Sequence, residues 1–173
     1  STFMRLFTTL YWPRDGYVAV DGKPVTHENV EAYRALFSAV FSEYHLFRRL
    51  YGVAPEALAE IPELLKLFEI EEKTQLVDGA FTTVNLSAGQ RKRVALIVAL
   101  LERRPICVLD EWAADQDPLF RRKFYEDLLP MFKARGLTVI AVSHDDRYFH
   151  IADRRLHLEE GHVVSDLRKD EEA

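Results

Sequence analysis

The sequence has a single cysteine and no long apolar run. Cys107 stands within the apolar residues 106–109, and we interpret it as a small buried hydrophobic residue, because one cysteine cannot build a disulfide framework. A reducing compartment fits this composition. The longest strictly apolar run covers residues 94–101, far short of the ~20 residues that span a bilayer. A membrane-spanning part, if the function requires one, is therefore expected elsewhere.

The sequence also lacks an excess of positive charge. It has 23 Lys and Arg against 28 Asp and Glu, a formal net charge of −5. Nucleic-acid-binding domains usually present a basic stripe, because phosphate contacts dominate their affinity, so we expect no nucleic-acid partner. The short basic clusters lie at residues 48–49, 91–93, 103–104 and 121–123, and most of them are predicted to lie on solvated faces.

The apolar pattern that is present predicts one α/β domain. The composition, 48% hydrophobic over 173 residues, supplies one core. Strands are predicted at residues 17–20, 35–41, 106–109 and 137–142, with a terminal hairpin at 154–158 and 162–164. Helices are predicted at residues 1–10, 90–104 and 118–135. Residues 52–73 read as a small helical insert, residues 74–84 as a polar connector, and residues 170–172 as a frayed acidic end.

Two carboxylates directly follow an apolar strand. Asp110 and Glu111 come after residues 106–109, and α/β sheets bind ligands at the carboxyl ends of their strands. Adjacent strand residues point in opposite directions, so the two acids can have different roles. One can hold Mg²⁺, and the other can polarise an attacking water. The alternative is a strand end with solvated acids.

A small turn and a histidine complete the candidate site. Residues 85–90, Asn-Leu-Ser-Ala-Gly-Gln, precede the buried helix, and free N–H groups at a helix N-terminus attract anions. A plain Ser87 N-cap with Gln90 completing a capping box is the alternative, and both can hold together. His144 follows the strand at 137–142 and can reach the same sheet edge, although a lone histidine there is often structural.

In this order the motifs resemble those of the ATP-binding domain of ABC transporters. Residues 86–90 resemble the signature motif LSGGQ, residues 106–111 resemble Walker B with its catalytic glutamate, residues 114–117 fall at the D-loop, and His144 matches the switch histidine. The resemblance covers essentially the whole chain. It implies an α/β, P-loop NTPase-like mixed or parallel sheet flanked by helices, with residues 48–90 as a helical subdomain inserted in a RecA-like core within residues 1–173.

The resemblance also implies ATP and Mg²⁺ as ligands and a role for each matching residue. The implied catalytic residues are Glu111 and His144, and the implied metal ligands are Ser1 and Asp110. The implied nucleotide-binding residues are Ser1, Thr2, Ser87, Ala88, Gly89 and Gln90. The implied D-loop residues are Asp115 and Asp117. The implied partner is a second nucleotide-binding domain, bound head to tail so that ATP lies between one phosphate loop and the other subunit's signature turn.

The first residues match a particular point in the family pattern. Ser1-Thr2 followed by an apolar helix resembles what comes after the Gly-Lys of the phosphate-binding loop G-x-x-x-x-G-K-[ST]. The resemblance implies that Ser1 is the hydroxyl that binds Mg²⁺, and that the loop, its lysine and the adenine-stacking aromatic residue lie upstream. We therefore expect the isolated chain to bind ATP negligibly and to be inactive.

Three positions depart from the family pattern. Ser42 aligns with the Q-loop glutamine and is too short to reach as far, so a water or Glu43 is expected to help. Ala88 replaces a signature glycine, and Trp112 replaces a proline. The combination is similar to the cyclic-peptide and siderophore exporter branch of the ABC family.

That branch implies ATP hydrolysis that powers export of a peptide or siderophore. The ATPase domain would lie at the cytoplasmic face of the bacterial inner membrane, joined to a transmembrane domain that precedes it in the same parent chain. The alternatives are a nucleic-acid-associated or ribosome-associated ABC ATPase, and a non-enzymatic scaffold module.

Overall fold

A computed structural model describes residues 1–171 of the chain. The helices lie at Thr2–Phe7 (α1), Val30–Arg34 (α2), Pro55–Leu58 (α3), Ile61–Leu67 (α4), Ala88–Leu101 (α5), Pro118–Lys123 (α6) and Leu129–Ala134 (α7). The strands lie at Ala19–Val20 (β1), Lys23–Pro24 (β2), Phe37–Val40 (β3), Leu76–Val77 (β4), Ala80–Phe81 (β5), Ile106–Asp110 (β6), Thr138–Val142 (β7), Arg154–Glu159 (β8) and His162–Arg168 (β9). A π-helical turn, Phe124–Leu128, joins α6 to α7, and 3₁₀ turns cover Trp112–Asp115, Asp146–Ile151 and Lys169–Glu171.

The functional edge of the molecule is built on a parallel sheet in the order β3-β6-β7. In the register, Val40 lies beside Leu109 and Asp110 lies beside Val142. β6 is the buried middle strand, and burial raises the pKa of its Cys107 thiol to about 11. The parallel sheet with flanking helices confirms the predicted α/β fold. The apolar run at residues 137–142 predicts a buried strand, but β7 is only partly buried, with Ala141 exposed, because it is an edge strand of this sheet.

Helix α5 is the longest in the described residues and carries the predicted capping box. The Ser87 hydroxyl accepts from the Gln90 N–H at 3.3 Å, and the Gln90 side chain accepts from the Ser87 N–H at 3.1 Å. These two bonds satisfy amides that have no partner inside the helix. The helix ends at Leu101, earlier than predicted, because Arg103 takes a left-handed φ of 52°.

One hydrophobic core joins the sheet to the helices between β3 and α5. Ile61 in α4 and Phe68 just after it are completely buried, and they pack in the same cluster as Leu96 of α5 and Leu109 of β6. The predicted insert is therefore two short helices, α3 and α4, that share the main core. A second small cluster, formed by Val25, α2 and the start of β3, lies apart from it.

The connector between α4 and α5 contains a hairpin that the sequence did not predict. β4 and β5 pair antiparallel, and the Phe81 N–H donates to the Arg48 carbonyl at 2.7 Å. The Arg48 guanidinium returns a bond to the Phe81 carbonyl at 2.9 Å. Two-residue strands have no room for an alternating pattern, so the sequence showed only a polar connector here.

The helix predicted over residues 118–135 is interrupted at its centre. In the π-helical turn the Leu129 N–H donates to the Phe124 carbonyl. Pro130 follows at once and cannot donate a backbone hydrogen bond, and its ring would crowd the carbonyl of Glu126 in a regular α-helix. The wider turn accommodates the proline within one continuous helical segment.

The chain ends in the predicted antiparallel hairpin, and β9 extends beyond its predicted end to Arg168. Lys169 begins a short 3₁₀ turn where a frayed acidic end was predicted, and Glu172 lies outside the described residues. Within residues 1–171, no helix combines the length and the apolar character needed to cross a bilayer.

Candidate functional site

The carboxyl ends of β3, β6 and β7 bring the predicted site residues together at one edge of the sheet. Ser42 follows β3, Asp110 ends β6, and His144 follows β7. Parallel strands place such residues side by side, because their carboxyl ends share an edge. The order of the strands therefore brings together site residues that are far apart in the sequence.

Asp110 is the buried centre of this edge. Its side chain is 1% exposed, and its Oδ2 accepts from the Ser42 hydroxyl at 3.3 Å and contacts the amino group of Ser1. Its Oδ1 is buried and has no hydrogen-bond partner in the described part of the chain. A buried carboxylate oxygen without a partner is costly. Oxygen ligands of this kind suit Mg²⁺, so the position fits the metal that the sequence predicted.

Ser1 and Thr2 begin the first helix beside that carboxylate. The Ser1 hydroxyl accepts from the Met4 N–H at 3.4 Å, which caps α1. Thr2 is the first residue of α1 and is exposed. The contact between Ser1 and Asp110 is made by the Ser1 amino group, and the role of the Ser1 hydroxyl as a metal ligand stays a prediction.

Glu111 has an unusual backbone conformation. Its φ of 52° and ψ of 34° are left-handed, a region that costs about 1–2 kcal/mol for a residue with a Cβ. Its N–H donates to the Val142 carbonyl at 3.2 Å, and its own carbonyl accepts from the Ala114 N–H at 3.3 Å. Strained residues of this kind cluster at functional sites. The Glu111 side chain is exposed, unlike that of buried Asp110.

His144 lies next to this carboxylate. Its Nε2 is 3.4 Å from Glu111 Oε1, and its side chain is 84% exposed. An exposed histidine beside a carboxylate is free to contact an incoming ligand. The following residue, Asp145, has a lowered pKa, first because it accepts hydrogen bonds from Arg147 and also because Arg121 lies near.

The turn before α5 is open to solvent on one side and closely packed on the other. Ser87 and Ala88 are exposed. Gly89 packs so closely that a Cβ there would lie 2.5 Å from the Asp115 carbonyl oxygen, and its own carbonyl accepts from the Gln116 side chain at 3.2 Å. Only glycine allows this approach of the two backbones.

The predicted Q-loop and D-loop residues make contacts within the chain. Glu43 is exposed and pairs with Arg5 at 3.5 Å. Asp115 pairs with the Lys92 ammonium at 2.7 Å. Asp117 caps α6 through the Phe120 N–H at 3.0 Å.

Sequence reasoning missed the cations that hold this region. Lys92 and Arg93 were predicted to be solvated and are buried, so that prediction is wrong. Arg93 donates to Asp117 at 2.6 Å and lies over the Phe120 ring. The available signal was their position on the helix that is apolar on nearly every side, where two adjacent cations cannot both face water.

Arg121 is the third cation that sequence reasoning placed in solvent. Its guanidinium donates to the carbonyls of Ala113, Ala114 and Gln116 at 3.0–3.1 Å, and it lies 3.5 Å from the Asp145 carboxylate. It therefore ties the loop after Glu111 to the loop that carries His144.

This fold and this site define an α/β nucleotide-hydrolase domain of the P-loop NTPase type, in which a strand ends in a buried aspartate and an exposed glutamate. The chain belongs to the ABC transporter family, as an ATP-binding domain. The sequence profile described as ABC transporter matches residues 1–114.

Relatives and a solved structure agree with this assignment. The ATP-binding protein SyrD of Pseudomonas syringae pv. syringae is 47% identical over 172 residues, which are 97% of this chain and 30% of that protein. The sulfate/thiosulfate import ATP-binding protein CysA of Caulobacter vibrioides is 32% identical, covering 94% of this chain and 51% of that protein. A bacterial Atm1-family ABC exporter with ATP bound superposes with a TM-score of 0.77 at 24% identity, over 97% of this chain and 31% of that chain. The chain thus spans between about a third and a half of these proteins.

Proposed function

We propose that this chain is the ATPase domain of a longer ABC exporter, and that it hydrolyses ATP to drive export of a peptide or siderophore across a bacterial membrane. The observation that carries the proposal is the arrangement at the end of β6. Buried Asp110 and exposed Glu111 lie side by side, and His144 is 3.4 Å from the Glu111 carboxylate.

In the proposed reaction, Glu111 acts on water and His144 acts on phosphate. Glu111 orients the attacking water or takes its proton while the water oxygen forms a bond to the γ-phosphorus. The bond from the γ-phosphorus to the bridging oxygen breaks, and ADP carries away its electron pair. His144 contacts the γ-phosphate and stabilises the charge that develops there.

The residues around Asp110 fit a magnesium ion. Ser1 would ligate it directly, and Asp110 would hold it through water, which would give the orphaned Oδ1 a partner. Ser42 supports the Asp110 carboxylate from the Q-loop position. When bound, the ion neutralises charge on the phosphates that the reaction separates.

The turn at residues 87–90 is proposed to serve a second subunit. It opens a helix of 14 residues, whose N-terminal amides and dipole favour a phosphate. Its exposed side faces away from the packed Gly89–Asp115 contact. A head-to-tail dimer would place this turn on the ATP of the partner subunit, with Asp115 and Asp117 close to the shared interface.

The proposed export role rests on the Q-loop pattern and on the lengths of the relatives. Phe41-Ser42-Glu43 matches the exporter branch noted in the sequence. The chain covers 30% of SyrD and 31% of the exporter chain but 51% of the import protein CysA, which supports an ATPase domain joined to a large transmembrane domain. We place the domain at the cytoplasmic face of the inner membrane, with residues 48–90 as a helical subdomain.

The test is Glu111→Gln in the full-length transporter. We expect ATP hydrolysis to fall by about 100-fold or more, because general-base assistance contributes that much, while an ATP-bound dimer accumulates. Phosphate release and size-exclusion chromatography with ATP measure the two effects. Glu56→Gln in α3 is the matched control on an exposed glutamate and should leave both unchanged. Wild-type turnover by Glu111→Gln would overturn the catalytic assignment.

A further inference from the structure

A buried ammonium lies directly behind the candidate catalytic turn. Lys92 is 5% exposed, and its Nζ donates to the Glu111 carbonyl oxygen at 2.8 Å and pairs with the Asp115 carboxylate at 2.7 Å. A cation is stable in such a place only with partners of this kind. The lysine comes from the first turns of α5, so the helix that opens with the signature turn also reaches the glutamate.

The same lysine is held from the other direction. The Trp112 indole N–H donates to the Lys92 carbonyl oxygen at 2.8 Å. The indole is buried, and its ring centre lies 4.4 Å from that of Phe124. Lys92 therefore donates to the residue before Trp112 and accepts from Trp112 itself, which fastens the helix to the turn by two bonds.

These bonds act on the two torsions that direct the Glu111 side chain. The Glu111 N–H is held by Val142, and its carbonyl is held by the Lys92 ammonium and by the longer bond from Ala114. The direction of a carbonyl sets ψ, and the direction of the N–H sets φ. Without Lys92, the Glu111 carbonyl would keep only the longer bond from Ala114, and the strained left-handed conformation would be held less firmly, so that the carboxylate would be free to move relative to His144.

We infer that Lys92 is a positioning residue for Glu111. The inference rests on the proposed role of Glu111 in hydrolysis. Lys92 touches the Glu111 backbone and acts only through it: it keeps the carboxylate at the angle from which it meets the attacking water.

The experiment compares Lys92→Met and Lys92→Arg in the full-length transporter. Lys92→Met removes the donor and keeps an apolar stem of similar length. We expect kcat to fall by about tenfold or more, since small misplacements of a catalytic group are costly, while KM for ATP stays within about twofold. Lys92→Arg keeps the charge and N–H donors and should restore most of the turnover. Lys66→Met, on an exposed lysine of α4, is the control and should match the wild type.

A double variant separates positioning from general damage. If Lys92 acts through Glu111, then adding Lys92→Met to Glu111→Gln should leave the residual rate of the single Glu111→Gln variant unchanged. If Lys92→Met lowered the rate of the Glu111→Gln variant by the same factor as it lowers the wild-type rate, the inference would be overturned. A wild-type kcat in folded Lys92→Met would overturn it as well. Should Lys92→Met fail to fold, Trp112→Phe removes the second bond together with part of a buried ring, and in folded protein it must lower kcat more than it changes KM. Full turnover in Glu111→Gln would instead overturn the proposed function together with the inference.

Discussion

Ser42 illustrates how a short side chain serves a position where the family pattern has a long one. Its hydroxyl reaches the Asp110 carboxylate at 3.3 Å, whereas neighbouring Glu43 turns to Arg5. A water or Glu43 was expected to assist Ser42 at this position, and the structure shows no contact of Glu43 with Asp110. The serine supports the carboxylate that would hold magnesium, and its effect on the metal is indirect.

Ser42→Ala should weaken magnesium binding more than ATP binding. Removing a donor to a buried carboxylate costs about 1.5 kcal/mol or more, so we expect the Mg²⁺ concentration for half-maximal hydrolysis to rise by about tenfold. A Mg²⁺ titration of ATPase activity at saturating ATP measures this. Ser165→Ala, in β9, is the control. An unchanged midpoint would show that Ser42 does not influence the metal.

Among the structural elements, the turn before α5 depends on the contact between Gly89 and the loop after β6. Gly89→Ala would place a Cβ 2.5 Å from the Asp115 carbonyl oxygen, which is backbone and cannot easily move. We expect a loss of stability of about 1–3 kcal/mol, as in other overpacked sites, and loss of ATP-dependent dimerisation.

The neighbouring residue supplies the comparison for that variant. Ala88 is exposed, and Ala88→Gly costs at most about 1 kcal/mol, because glycine only loosens the helix. Urea denaturation measures the free energy of unfolding of both variants, and size-exclusion chromatography with ATP measures how much of each forms a dimer. Equal behaviour of the two variants would contradict the close packing at Gly89.

The start of α6 gives a prediction that depends on pH. The pKa of Asp117 is lowered, first by the hydrogen bond from the Phe120 N–H and then by the Arg93 guanidinium. A lowered folded-state pKa means that the stabilisation is present above the unfolded value of about 3.9 and is lost as the pH falls through the folded value.

Asp117→Ala should therefore reduce the free energy of unfolding by about 1 kcal/mol at neutral pH. The difference from the wild type should shrink as the pH falls below about 4. Urea denaturation at a series of pH values measures it. Asp117→Asn keeps an N-cap acceptor, so its free energy of unfolding should lie between those of the wild type and Asp117→Ala. A difference between the wild type and Asp117→Ala that grows in acid would contradict the assignment.

At the scale of the whole molecule, a shared core predicts cooperative unfolding. Phe68 is completely buried in the same cluster as Leu96 and Leu109, although it lies in the stretch proposed as a separate subdomain. Phe68→Ala should cost about 3–5 kcal/mol and shift the transitions seen by near- and far-ultraviolet circular dichroism together. Separate transitions would show that residues 48–90 unfold on their own. Phe47→Ala, at an exposed aromatic residue, is the control.

The sequence predicted the strands of the parallel sheet and the gathering of Asp110, Glu111 and His144 at its edge, although it missed the hairpin of β4 and β5. A continuous apolar run marks a buried strand, and the order of the strands places their ends together. The apolar character of α5 was a signal that Lys92 and Arg93 are buried, but the sequence did not show which groups would pair with them. A charged side chain looks solvated until its partners are known, and the partners of Lys92, Glu111 and Asp115, come from a distant loop.

The left-handed backbone of Glu111 also bears on how such a domain evolves. Asparagine and glycine adopt that conformation with less strain than glutamate, so exchanging Glu111 for either should relax the backbone and, under the proposed function, end hydrolysis. Selection for heat resistance alone would act against this residue. Under the proposed function, copies of the domain freed from the need for turnover should therefore drift toward stable, inactive forms.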